Sequence, residues 1–173
     1  MIRASRRAVL GGALAVPTLS GLATWRWRHG DSRVLVHDPA LDAGQRFAEA
    51  GGGSRPIEGD RIRFAREIFA AKPGLVAGVS RQADFVLIAD VAAEMGYVLA
   101  AEFEGRGQVC SGSKCLPGWS ALSRVASAAG QGWAEALGSW AADPRGGKPS
   151  LGRAATSRAD AGVVLGWVLV PRG

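Results

Sequence analysis

Residues 75–96 read LVAGVSRQADFVLIADVAAEMG, and this stretch decides the fold. Leu75 to Val79 form a short unbroken apolar run, the mark of a strand buried on both faces. The pattern then changes period. Phe85, Ile88, Ala89, Ala92 and Met95 recur at i, i+3, i+4, i+7 and i+10, which places them on one helix face. Ser80 stands where a helix cap belongs, and Gly96 where a helix stops. A buried strand that feeds directly into a helix is one βα unit of a parallel sheet.

The alternation continues in both directions. Val34-Leu35-Val36 reads as a first strand. Asp38 then fits an N-cap and Pro39 the first helical position. Ala40, Ala43, Phe47 and Ala50 share one helix face, and Gly51-Gly52-Gly53 ends it. Gly44 inside that helix costs roughly 1 kcal/mol relative to alanine. Arg55 to Glu58 reads as a short second strand. Asp60 caps a helix whose apolar stripe is Phe64, Ala65, Ile68 and Phe69, and Lys72-Pro73-Gly74 stops it.

Tyr97 to Phe103 reads as the fourth strand. A long helical pattern opens at Pro117-Gly118 and carries Leu122, Val125, Ala129, Trp133, Leu137 and Trp140, with Gly130, Gly132 and Gly138 arguing for a break. Trp119, Trp133 and Trp140 fall on nearly one face, which reads as core packing, with a docking face for a partner as the alternative. Residues 141–160 are rich in Gly, Pro, Ser and Arg and read as an irregular connection. Val163 to Val170 is a closing strand, too short to span a membrane. The expected architecture is a three-layer α/β sandwich with a mostly parallel sheet of about five strands, flavodoxin-like in outline only.

The amino terminus carries an address. Residues 5–12 read SRRAVLGG, and an uncharged apolar stretch runs from Ala8 to Ala23 behind the basic Arg3, Arg6 and Arg7. The segment resembles a bacterial twin-arginine (Tat) export signal, with Ser5, Arg6, Arg7 and Leu10 filling its pattern. Val9 and Gly11 stand where that pattern often has phenylalanine and lysine. The resemblance implies passage through the Tat translocase in a folded state and a periplasmic destination. Gly21 and Ala23 suit a cut before Thr24. The alternative is an uncut signal or anchor helix over residues 1–23, with Trp25, Arg26, Trp27 and Arg28 as an interfacial collar. Membrane contact, at the inner membrane, is expected only in that case. Residues 24–173 then form a single α/β domain.

Composition narrows the partners. The 173 residues carry 21 basic and 15 acidic side chains. Setting aside Arg3, Arg6 and Arg7 leaves a surplus of only three, too small and scattered for nucleic acid. Cys110 and Cys115 bracket Ser-Gly-Ser-Lys. In an oxidising compartment such a pair closes a disulfide, and thiol–disulfide redox chemistry is the competing reading. Two cysteines with His29 or His37 are too few ligands for a metal, so none is expected.

The best candidate site lies where strands one and three end. His37 and Asp38 follow the first, and Ser80 and Arg81 the third, at the switch point of the expected sheet. Helix N-termini there attract anions, Arg81 suits a carboxylate or phosphate, and His37 titrates near neutrality. Glu102 and Glu104, with Arg106, are a weaker acid–base pair. Gly78-Val79-Ser80 lacks the second glycine of a nucleophile elbow, because Gln82 stands there. No dinucleotide fingerprint follows strand one, and no cofactor is expected. The leading expectation is a non-catalytic accessory protein serving a larger periplasmic or membrane-bound redox enzyme. The alternatives are a small-anion binding module or enzyme using the crevice near His37 and Arg81, and a thiol redox protein.

Overall fold

In a computed structural model, which describes residues 32–104, 129–143 and 160–172, five strands form one sheet. In chain order the elements are β1 (Arg33–His37), α1 (Asp42–Gly51), β2 (Arg55–Pro56), α2 (Arg61–Ala70), β3 (Leu75–Arg81), α3 (Gln82–Glu94), β4 (Tyr97–Glu104), α4 (Trp133–Ala142) and β5 (Val164–Pro171). The strand order is β2-β1-β3-β5-β4. β1 pairs in parallel with both β2 and β3, which puts strands one and three side by side as expected. The export segment, both cysteines, Trp119 and Arg106 lie outside the described residues. Among the described residues, no helix is long and apolar enough to cross a membrane.

The alternation of β1 separates the two faces. Leu35 joins a core with Phe47 of α1 and Trp133, Leu137 and Trp140 of α4. Val36 joins the opposite core with Phe64 and Ile68 of α2 and Phe85 and Ile88 of α3. Helices thus cover both faces, and α1 and α3 leave neighbouring strands on opposite sides. The two described tryptophans of α4 are buried, in line with core packing.

The last strand departs from a flavodoxin-like outline. β5 inserts between β3 and β4 and runs antiparallel to both, while the other four strands share one direction. The reason lies on β3. Trp167 of β5 sits opposite Gly78 and is fully buried. A Cβ at Gly78 would lie 2.5 Å from its ring. The indole stacks on Phe85 at 5.3 Å and donates from Nε1 to Ser80 Oγ at 3.0 Å. Only a bare position on β3 admits a ring so close.

Two expected caps are corrected for related reasons. Ser80 does not cap α3. It stays in β3, paired with Leu165, with its hydroxyl engaged by Trp167. The cap position falls to Arg81, which makes no side-chain capping bond. Asp38 does not cap α1, and Pro39 is not its first residue. The helix starts at Asp42, because Asp38 builds a turn instead: its Oδ1 accepts from Ala40 N and its carbonyl from Leu41 N. Asp60 does cap its helix, accepting from Arg63 N at 2.7 Å. The second strand shrinks to Arg55–Pro56, beside which Ile57 N adds one bond to His37 O.

Gly44 and Gly138 are glycines of close approach. A Cβ on Gly44 would run into the carbonyl of Asp38, so the first turn of α1 lies hard against the end of β1. A Cβ on Gly138 would strike the carbonyl of Phe47 and crowd Ala50. The intrinsic cost of glycine in these helices is thus offset by closer packing. Gly138→Ala is expected to push α1 and α4 apart and lower stability by about 1–3 kcal/mol. Urea denaturation reads this directly, and an unchanged midpoint would contradict the close-packing account.

Candidate anion site

The carboxyl ends of β1 and β3 carry the four expected residues, and the fold joins two of them. Asp38 follows β1 and binds Val79 O of β3 through its own backbone N–H at 2.9 Å. Its carboxylate is almost wholly buried, with the side chain 4% exposed. Arg81, the last residue of β3, brings Nη1 to 3.3 Å from Asp38 Oδ2, while its side chain stays 46% exposed. Among the described residues Oδ2 makes no hydrogen bond, so this contact is Coulombic and off the favoured N–H direction. The result is a guanidinium at the surface braced from below by a buried carboxylate.

His37 and Ser80 are drawn elsewhere. His37 Nδ1 lies 2.9 Å from Ser54 Oγ, toward the β2 edge. Burial holds the imidazole below its ordinary pKa, against the opposing pull of Asp38. Ser80 is fully buried and bonded to Trp167, so it presents no free nucleophile. Glu102 and Glu104 lie on β4, across β5 from this edge, and do not join the cluster.

Sequence reasoning missed Asp160. Its Oδ1 accepts from Asp42 N at 2.7 Å and its Oδ2 from Ala43 N at 3.0 Å. A carboxylate 118 positions away in sequence thus caps α1, whose own cap position is the apolar Leu41 with no side-chain capping bond. Such a cap contributes on the order of 1 kcal/mol, aided by the helix dipole. Asp38 and Asp160 therefore share one run of backbone donors: residues 40 and 41 serve Asp38, and residues 42 and 43 serve Asp160. The sole local hint was a leucine where α1 needed a polar cap.

Charges nearby are largely paired. Arg46 bridges Asp42 at 3.0 Å and Glu135 of α4 at 2.9 Å, which ties α1 to α4. Arg61 meets Asp84 at 2.9 Å. An open hollow of about 280 Å³ lies beside β2, lined by residues that include Arg55, Glu58, Arg63 and Glu67. It contains none of the four expected residues, and its charges alternate in sign. The chemistry therefore points to the Arg81 cluster rather than to that hollow. No group of three or more His, Cys, Asp or Glu side chains suited to a metal occurs among the described residues.

Two outcomes follow from this geometry. Arg81→Ala leaves a buried carboxylate without its countercharge, whereas Asp38→Asn leaves a guanidinium that water solvates. The first is expected to cost more, about 2 kcal/mol after discounting for the exposed arginine. Adding Asp38→Asn to Arg81→Ala should restore part of that loss, and equal single-variant losses in denaturation would contradict the bracing. For His37, the unfolded chain takes up a proton that the folded chain resists. Its contribution is present above about pH 6.5 and is lost as pH falls toward the lowered folded value. His37→Asn should flatten the decline in melting temperature between about pH 7.5 and 5.5, where a wild-type slope would indicate a different titrating group.

Set against models of protein families, curated proteins and solved structures, the chain matches none of them.

Proposed function

We propose that the protein is exported folded and works in the periplasm as a non-catalytic binding domain that takes an anionic group, a carboxylate or phosphate, at Arg81. The supporting observation is the braced guanidinium at the switch point, half exposed over a buried Asp38. A guanidinium carries five N–H donors in a fixed fork. Nη1 faces Asp38, and bracing reduces the rotamer freedom that an anion would otherwise have to freeze. The switch point of an open α/β sheet is also where such folds bind ligands. The export half of the reading rests on Ser5, Arg6, Arg7 and Leu10 and the apolar run behind them, with residues 1–23 as signal or anchor.

A second reading keeps the accessory role beside a larger redox or cofactor-bearing enzyme. It is favoured by the outer side of α3, where Val86 is 58% and Leu87 42% exposed. Intact mass of a tagged chain recovered from periplasm and membrane tests both location and company. A cut chain with a stoichiometric enzyme supports the accessory role, and a solitary chain counts against it.

The anion reading is tested by thermal denaturation with acetate, succinate and inorganic phosphate. A ligand at 100 times its Kd adds about 2.7 kcal/mol of stability, a shift of several degrees for a domain of this size. The shift should vanish in Arg81→Ala and shrink in Arg81→Lys, which keeps charge but loses the fork. A flat melting temperature across the panel, or a shift that survives Arg81→Ala, means the reading is wrong.

A further inference from the structure

The amino edge of the sheet is where β1, β3 and β4 begin and β5 ends. Hydrogen bonds lace it into one surface. Ser32 O accepts from Leu75 N at 3.1 Å and Ser32 Oγ from Gly74 N at 2.9 Å, which ties the start of β1 to that of β3. Tyr97 Oη donates to Pro73 O at 2.7 Å, and Arg172 N to Gly96 O at 2.7 Å. Three exposed cations stand on this frame: Arg33 at the head of β1, Lys72 after α2 and Arg172 after β5. None of them makes an ion pair among the described residues. Glu94, in the last turn of α3, meets Arg66 at 3.8 Å. Met95, 43% exposed, is the residue next to Gly96. Acids gather instead at the opposite edge, in Asp38, Asp42, Glu58, Asp60, Asp84 and Asp160. The helix dipole favours a cation such as Lys72 at the end of α2, but Arg33 and Arg172 belong to strands, whose dipoles are small. Lys72 also has φ +50, one residue past the C-cap of α2, where glycine is usual. Its charge is thus held at a cost in backbone strain.

We infer that this amino edge docks on an anionic phospholipid surface. The inference rests on the reading of residues 1–23 as an uncut anchor and is independent of the anion reading of Arg81. Residues 24–31 separate the end of the apolar run at Ala23 from Ser32. Fully extended, that length of chain reaches at most about 28 Å. The chain enters the sheet at the amino edge, so the tether brings this edge to the bilayer first. The carboxyl edge stands a strand length farther off, about 27 Å for a strand as long as β4. Each lysine or arginine near anionic headgroups strengthens attachment about fivefold. Met95 adds an apolar side chain suited to the boundary between headgroups and acyl chains. In this orientation Arg81, at the carboxyl end of β3, faces away from the membrane.

The full chain in lipid nanodiscs tests the inference. A gadolinium-chelating lipid serves as relaxation probe, in a bilayer of either phosphatidylglycerol or phosphatidylcholine. The amide resonances of Lys72, Met95 and Arg172 are expected to lose intensity in the anionic discs. They should recover most of it in the neutral discs or at high salt, while the amides of Arg81 and Gln82 stay sharp in both. Lys72→Gly combined with Arg172→Gln should abolish the difference between the two lipids. Lys72→Gly places glycine at a left-handed position, so that variant should melt no lower than wild type, and lost docking is then not lost folding. If Lys72, Met95 and Arg172 behave alike in both lipids, or if the amides beside Arg81 broaden first, the amino edge is no docking surface. The inference then fails while the anchor reading stands. If the chain does not stay with the discs, the anchor reading and the inference fall together and the anion reading is untouched.

Discussion

Trp167 is buried against Gly78, stacked on Phe85, with its indole N–H satisfied by Ser80 Oγ. A buried indole is stable only where its bulk is accommodated and its N–H finds an acceptor. On β3 both conditions are met two residues apart, by a glycine and a serine on the same strand face. That match favours the β3–β5 register, since Gly78 pairs with Trp167 and Ser80 with Leu165. Once β5 takes the place beside β3, β4 is displaced outward, and α3 must carry the chain past β5 to reach it.

The carboxyl edge follows from this arrangement. In a wholly parallel sheet that edge holds only outgoing turns, which leave a crevice where neighbouring helices part to opposite faces. Here an antiparallel strand begins at the same edge, so its approach has to cross there. The approach is the Asp160–Val163 segment, and it brings a carboxylate to the first amides of α1. The antiparallel entry of β5 thereby accounts for the cap that Asp160 supplies to α1 from far along the chain.

Much of this was legible in residues 75–96 and their surroundings. Periodicity located the strands and the four described helices, because buried faces impose it directly. Asp60 was readable as a cap, since its partner is three residues away. The adjacency of β1 and β3 followed from successive βα units. The placement of β5 was not legible, because Val164 to Val170 is as apolar as a parallel interior strand would be, and direction leaves no mark on such a run. Ser80 misled for a related reason: a serine before a helix looks like a cap unless the indole from β5 is known to claim it. Gly44 and Gly138 looked like helix weaknesses because the carbonyls they approach belong to other elements. At the site, His37, Asp38, Ser80 and Arg81 were expected in the loops after β1 and β3; Asp38 alone lies past its strand, His37, Ser80 and Arg81 are strand residues, and only Asp38 and Arg81 meet. Asp160 lay beyond any local pattern.

The energetics of Asp38 bear on what this edge is for. Burying a carboxylate costs several kcal/mol, and its compensation here is incomplete: one hydrogen bond from Ala40 N and an off-axis ion pair with Arg81. An asparagine could accept from the same amide and build the same turn with no charge to bury. The stability of the turn therefore does not require Asp38 to be charged. What the charge supplies is a countercharge that holds Arg81 at the switch point while leaving that side chain in reach of solvent. A guanidinium so held keeps N–H donors in reach of solvent, which is the arrangement the proposed anion reading draws on. The charge of Asp38 therefore bears on where Arg81 is held, not on whether the turn forms.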